Sequence, residues 1–449
     1  MASVTSPPRV AIVALGSRGD VEPLAHVAVA LRAAGADVLL VTHASYEALV
    51  RSHGVQYASL GPGLLEARAD TPEGQALGRA GGMALMAAAK AFMRAVGIVY
   101  WAGARTALEA FKPDVVVLST LAGYYHSSLC EALRLRCVVA HFCPLVPTGA
   151  WAPPLGLPFD SAPLAAINRW LWRVTTKMGW GMIYRDTVNE LRVSAGLQAM
   201  QDAGGPYASL LSDRPTLLLY SPVLRAPPAD YPPTAHVLGA PVAASEAAYE
   251  PPAPLAAFLA GGSGPVVAIT LGSMAAVQDD GNAARGGRSA GAVLRLCADA
   301  AVAAGARALV FTDGATGVEA ALTGCGSDVM PLQGSVPHAW LLPRCAALVC
   351  HGGSGTVHAA LRAGTPALVV AVDTAASDQA FWGGRLVAAR LAPATFVAAT
   401  VKQPALAAAL RTCINDAPMR VRAQAAAQAV AKENAAADAA AIILKEARS

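Results

Sequence analysis

Short unbroken apolar runs alternate with stretches whose apolar residues recur every three or four positions, and the alternation persists along most of the chain. Val10 to Leu15 reads as a buried strand, Leu24, Val27, Ala28 and Leu31 as one face of a helix, and Val38 to Val41 as the next strand. Val115 to Leu118 and Val138 to His141 repeat the strand pattern around a helix near Leu129 to Leu133. Val266 to Leu271, Ala308 to Thr312, Ala347 to Cys350 and Ala367 to Val370 do the same in the second half, between alanine-rich helical segments. Strands separated by helices predict βαβ units and parallel sheets. The expected fold class is α/β, with two Rossmann-like, doubly wound domains facing a cleft.

Prolines from Pro222 to Pro254 crowd a stretch with little periodicity, as a stiff connection does. The expected divisions are a first domain over 1–220, a linker over 221–254, a second domain over 255–430 and a C-terminal helix over 431–449. Met419 to Ala447 reads as one or two helices, and Gln278 to Gly291, glycine-rich and polar, as a flexible insertion.

Composition narrows the function classes. The chain has 449 residues, net charge +4 and 14% charged residues with no basic block, so no nucleic-acid partner is expected. The eight cysteines show no C-x-x-C and no ligand-like spacing, which suits reduced core thiols in a cytoplasmic protein. No apolar secretion leader is expected at the start. Gly81 to Gly103 is apolar and nearly long enough to span a bilayer, but Lys90 and Arg94 near its middle cost roughly 2.5–3.5 kcal/mol each on an insertion scale. A transmembrane helix is therefore not expected.

Chemistry concentrates at strand ends. His351-Gly352-Gly353-Ser354-Gly355-Thr356 follows a strand and opens a helix. The free N–H groups of a first helical turn and the positive end of the macrodipole favour a phosphate, and His351 and Thr356 add side-chain donors. No Gly-Lys-Ser/Thr ends this turn and no full G-x-G-x-x-G occupies it, so it is neither a P-loop nor a dinucleotide fingerprint. Asp20 directly follows the first strand in a Gly-Ser-Arg-Gly turn and can take a hydroxyl proton, or it can cap the helix beginning near Val21. Asp378 and Gln379 can hydrogen-bond sugar hydroxyls or start the next helix. No Asp-x-Asp occurs, and Asp279-Asp280 stands without supporting ligands, so no metal site is implied.

Five ordered segments together resemble the GT-B glycosyltransferases, in the family-1 branch of sterol 3-beta-glucosyltransferases and glycopeptide-antibiotic glycosyltransferases. They are Gly16 to Pro23, Leu271 to Met274, Val336 to Ala346, His351 to Thr356 and Asp378 to Gly383. The resemblance implies an inverting hexosyltransferase in which Asp20 is the base and no cofactor or metal takes part. The donor, a UDP-sugar with UDP-glucose the first expectation, would meet Ser17, Arg18, Gly19, Ser273, Val336, His338, His351, Gly353, Ser354, Gly355, Thr356, Asp378 and Gln379. His126 can assist Asp20 or be structural, and Trp340 can flank the base or belong to the core.

The acceptor side is less legible. Pro144 to Pro158, around Trp151, resembles the acceptor loop of the sterol enzymes. Met83, Leu85, Met86, Phe92 and Met93 can line an apolar pocket or pack in a core. A lipophilic small molecule or sterol is the expected acceptor. Arg169, Trp170, Trp172, Arg173, Lys177, Trp180 and Arg185 interleave aromatic and basic side chains as an interfacial helix would, which adds peripheral membrane contact to the expectations. Two departures stand against the family pattern: Ala359 replaces a ribose-binding glutamate of plant relatives, and Ala371 to Ser377 is longer than usual and lacks its proline. The rival readings are a GT-B nucleotide-sugar epimerase and a non-catalytic nucleotide-sugar binder.

Overall fold

A computed structural model describes residues 6–80, 83–155, 161, 163–201, 214–241, 249–272, 275, 288–312, 317–372 and 377–449. Ser273, Met274, Asp279, Asp280, most of the Gln278 to Gly291 stretch, the Asp373 to Ala376 part of the loop before Ser377 and the side chain of Met83 lie outside the described residues.

Two parallel sheets carry the chain. The first runs β3-β2-β1-β4-β5-β6-β7, with β1 Arg9–Val13, β2 Asp37–His43, β3 Gln56–Gly61, β4 Val115–Ser119, β5 Arg136–His141, β6 Thr216–Leu218 and β7 Ala235–Val237. The second runs β10-β9-β8-β11-β12-β13, with β8 Val266–Thr270, β9 Arg307–Phe311, β10 Val329–Leu332, β11 Ala347–Cys350, β12 Ala367–Ala371 and β13 Thr395–Val397. Every residue of β4, β8, β11 and β12 is buried, as strands covered by helices on both faces must be. The apolar runs read from the sequence are the central strands. The short outer strands escaped that reading, and β7 lies inside the stretch read as linker, so the first sheet extends past residue 220.

The helices that bear on the site are α1 Arg18–Ala33, α2 Met83–Phe111, α3 Thr120–Ala132, α4 Ala165–Gly179, α5 Ser354–Ala363, α6 Gln379–Ala388, α7 Ala417–Val430 and α8 Ala435–Arg448. α8 returns to the first sheet, where Ala439, Ala440, Ile443 and Leu444 join the core of Val10, Ile12, Leu24 and Leu31. Among the described residues α2 is long and apolar enough to cross a membrane by length and composition. It instead packs Phe92, Val96, Tyr100 and Leu108 into the core of the first sheet. Lys90 pairs with Asp186 and Arg94 with Glu190, so both charges on α2 have partners at the surface.

In each sheet the strand order reverses beside the first strand, between β1 and β4 and between β8 and β11. At such switch points the loops leaving adjacent strands diverge to opposite faces and open a crevice. The turns after β1, β8 and β11 are the glycine-containing segments Gly16 to Asp20, Gly272 and His351 to Gly353. All eight cysteines are free, and all but Cys325 are buried.

Candidate active site

Asp20 stands at the third position of α1, whose N-cap is Ser17. Its carboxylate accepts the Ser17 N–H at 2.7 Å and the Ser17 hydroxyl at 3.0 Å. The two sequence roles therefore coincide in one side chain: Asp20 helps start the helix, one turn earlier than expected, and faces the cleft. Burial pushes its carboxyl up to about 6, against the lowering effect of the Ser17 hydrogen bonds. The turn needs glycine before it, because Gly16 has φ +138° and an added Cβ would lie 2.3 Å from Asp20 Oδ2. The Gly16 N–H donates to His43 Nε2 at 3.2 Å, so a histidine at the end of β2 fixes the turn. Nothing in the sequence around His43 signalled this.

His126 does not reach that site. It is fully buried on α3, and its ring nitrogens lie 3.2 Å from the carbonyl oxygens of Ala122 and Tyr100. A neutral ring has one N–H to give, so one of these carbonyls is its partner, and this packing inside the first domain corrects the expectation that His126 assists Asp20.

His351 closes the second sheet's turn. It is 8% exposed, and its Nδ1 has no partner among the described residues. Burial, with His338 nearby, lowers its imidazole to about 4, so the ring is neutral. Gly272, with φ +57°, permits this packing, since a Cβ there would lie 2.8 Å from His351 Cε1. Gly353 is the N-cap of α5, and Ser354, Gly355 and Thr356 form its first turn, whose N–H groups have no intrahelical acceptor. The Ser354 hydroxyl donates to the carbonyl of Phe142 at 2.8 Å, a bond between the two domains.

Asp378 and Gln379 follow the same logic of divided duties. Asp378 is the N-cap of α6, yet its carboxylate makes no capping bond and accepts the Trp382 indole N–H at 2.6 Å. Burial pushes its carboxyl up to about 6, the Trp382 bond opposes this, and the charge of Asp20 adds to it. The charge of Asp20 thus reaches Asp378, and the thiol of Cys143 is pushed up by burial and by both carboxylates. Gln379 is 2% exposed and accepts the Val372 N–H at 2.8 Å through Oε1.

The outer members divide. Arg18 pairs with Glu22 at 3.0 Å on α1, and that pair influences the His338 imidazole, which burial lowers. The first turn of α1 is thus near enough to His338 for its charges to act on that ring. Val336 is 5% exposed and belongs to the second core. Trp340 packs against that core, with Tyr249 edge-on at 5.1 Å and the Arg344 guanidinium 4.3 Å from its ring centroid. These neighbours account for Trp340 as a packing residue. Trp151 and Phe92 are likewise buried, whereas Met86 is exposed.

Comparison with known proteins agrees with this geometry. Residues 10–138 match the glycosyltransferase family 28 N-terminal domain, and 319–447 match the erythromycin biosynthesis protein CIII-like C-terminal domain. The O-mycaminosyltylonolide 6-deoxyallosyltransferase of Streptomyces fradiae is 31% identical over 455 residues, covering 95% of this chain and 94% of the relative. A sterol 3-beta-glucosyltransferase of Arabidopsis thaliana is 28% identical over 90% of this chain, which spans 62% of that relative's length. Among solved structures, the calicheamicin glycosyltransferase CalG4 superposes with a TM-score of 0.68 at 16% identity, covering 98% of each chain. The kitacinnamycin glycosyltransferase gives 0.67 at 18% identity, covering 98% of this chain and 99% of that one. The chain belongs to the GT-B glycosyltransferases of the family-1-like branch. It is a glycosyltransferase with a nucleotide-sugar donor and a separate acceptor.

Proposed function

We propose that this enzyme transfers a hexose, with glucose from UDP-glucose the first choice, to a hydroxyl of a lipophilic acceptor of the sterol class, with inversion at the anomeric carbon. The reading rests on Asp20 in the first turn of α1, close enough for its charge to raise the Asp378 carboxyl at the start of α6, together with the open first turn of α5. Asp20, with its carboxyl near neutrality, takes the acceptor hydroxyl proton as that oxygen attacks the anomeric carbon. The bond to the diphosphate breaks on the opposite face, which inverts the centre. Charge developing on the diphosphate meets the amides of Ser354, Gly355 and Thr356, the α5 dipole and the unpaired His351 nitrogen. Asp378, held by Trp382, and Gln379 are suited to sugar hydroxyls. Helix amides and a neutral histidine do the work that a divalent metal does elsewhere, so EDTA is expected to leave the rate unchanged.

A second reading is transfer of a deoxyhexose from a dTDP-sugar. The relative that matches over nearly its whole length is named as a 6-deoxyallosyltransferase, which favours this alternative. The reading also includes peripheral contact with a membrane surface through α4. Trp172 and Trp180 are buried, but Leu164, Ile167, Trp170, Met178 and Met182 are exposed, beside Arg173 and Lys177.

Labelled UDP-glucose and a dTDP-deoxyhexose offered with a sterol mixture, with and without Asp20→Asn, test these readings together. Label in an organic-extractable product, lost in the variant, supports the donor that delivers it. Conversion of either nucleotide sugar without acceptor points instead to epimerisation. Binding without turnover of any donor on an acceptor panel points to a non-catalytic binder.

A further inference from the structure

We infer that His358 is a positioning residue that ties the first turn of α5 and the Trp382–Asp378 pair to the first domain at Ser221, in the loop between β6 and β7. The inference rests on the reading of α5 as the diphosphate site.

His358 is fully buried and lies four residues into α5. Its Nδ1 is 2.7 Å from the carbonyl oxygen of Ser354. A carbonyl only accepts, so Nδ1 carries the proton and Nε2 is left as an acceptor. Nε2 receives the N–H of Ser221 at 3.1 Å. The geometry alone sets a neutral ring with one tautomer, and both partners are backbone groups on different domains.

The Ser354 carbonyl and the Gly355 N–H share one peptide plane. A donor placed on that carbonyl polarises the amide toward its other end, where the diphosphate would sit. The chain of bonds therefore runs from the Ser221 N–H through the imidazole to the Gly355 N–H. The flank of the ring meets Trp382 at 4.8 Å and 81°, and Trp382 in turn holds Asp378 at 2.6 Å.

Ser221 also touches the passage by which the chain returns from the second domain to the first. Its hydroxyl donates to Glu433 Oε1 at 2.5 Å, in the short connection between α7 on the second sheet and α8 on the first. A core histidine needs one satisfied nitrogen. This one contacts the phosphate-binding turn, the support of the sugar-binding carboxylate and the β6–β7 loop, alongside the Tyr220–Trp382 contact at 5.9 Å.

The test is calorimetric binding of UDP and dTDP, with donor KM and kcat, for the native chain, His358→Asn, His358→Gln and the packing control Leu410→Ala, a fully buried residue of the helix Gln403–Asn415 in the core of the second domain. Asparagine keeps a donor for Ser354 and loses the acceptor for Ser221, whereas glutamine keeps the acceptor and loses the donor. Both are expected to weaken diphosphate binding and raise donor KM about tenfold, while Leu410→Ala lowers the melting temperature without moving either. His358 variants that lose melting temperature like the control yet keep Kd and KM within about twofold overturn the inference. Should the asparagine variant fail to fold, the glutamine variant decides. A native chain that binds neither nucleotide overturns the donor reading itself, and this inference with it.

Discussion

The indole N–H of Trp382 donates to the carboxylate of Asp378 across 2.6 Å, one helical turn along α6. A carboxylate proposed to meet sugar hydroxyls is thereby aimed by a fully buried tryptophan. Trp382→Phe keeps an aromatic ring, smaller than the indole, at this fully buried position and deletes the donor. It removes a bond that favours the ionised acid, so the Asp378 carboxyl should move further above its present value of about 6. The expected outcome is a donor KM about tenfold higher at pH 7, with a further loss as pH falls. KM measured from pH 5.5 to 8 checks this, and a profile superposable on the native one sinks the role of Asp378.

Asp20 sets the acid limb of the rate. A base works when unprotonated, so kcat/KM for the acceptor should rise with pH through about 6 and level off above it. Asp20→Asn should lower kcat by about 10²–10⁴-fold and leave the Kd for the nucleotide unchanged. A variant that retains full kcat removes Asp20 from the chemistry.

Gly16→Ala tests the same carboxylate from outside it. The new Cβ would fall on Asp20 Oδ2 at a backbone angle that alanine resists, so either the turn or the carboxylate must move. The expected cost is about 1–3 kcal/mol of stability and about 10²-fold in kcat, with nucleotide affinity retained because α5 is untouched. Thermal melting and single-turnover rates distinguish these effects. Native kcat in a folded variant would show that Asp20 tolerates displacement.

The exposed face of α4 leads to a prediction at vesicle surfaces. Replacing Trp170 and Met178, 57% and 53% exposed, by glutamate should abolish flotation with vesicles containing anionic lipid. Activity on an acceptor dissolved in detergent should be unaffected. Equal flotation of native and variant chains would remove the membrane from the proposed function.

What the sequence by itself determined was local and periodic. Runs such as Ala347 to Cys350 and Val266 to Thr270 are apolar without interruption because helices cover both faces of the sheet, and that requirement is written residue by residue. The turns at Gly16 and Gly272 were equally legible, since positive backbone angles select glycine. The short outer strands β6, β7, β10 and β13 carry three or four residues each, too few to show a period, and β7 sits among prolines.

Tertiary structure alone decided which polar groups meet. Ser354 was legible as a phosphate-site residue, but its hydroxyl pairs with Phe142 from the other domain. His126 and His358 looked alike as isolated histidines; one is spent on carbonyls of its own domain, while the other joins two domains. Trp172 and Trp180 read as interfacial and are buried, because α4 and the π-helical turn that follows it point these rings inward. Propensity and periodicity act over a few residues. Hydrogen-bond partners and desolvation, and with them the raised carboxyls of Asp20 and Asp378, exist only once segments hundreds of residues apart have packed together.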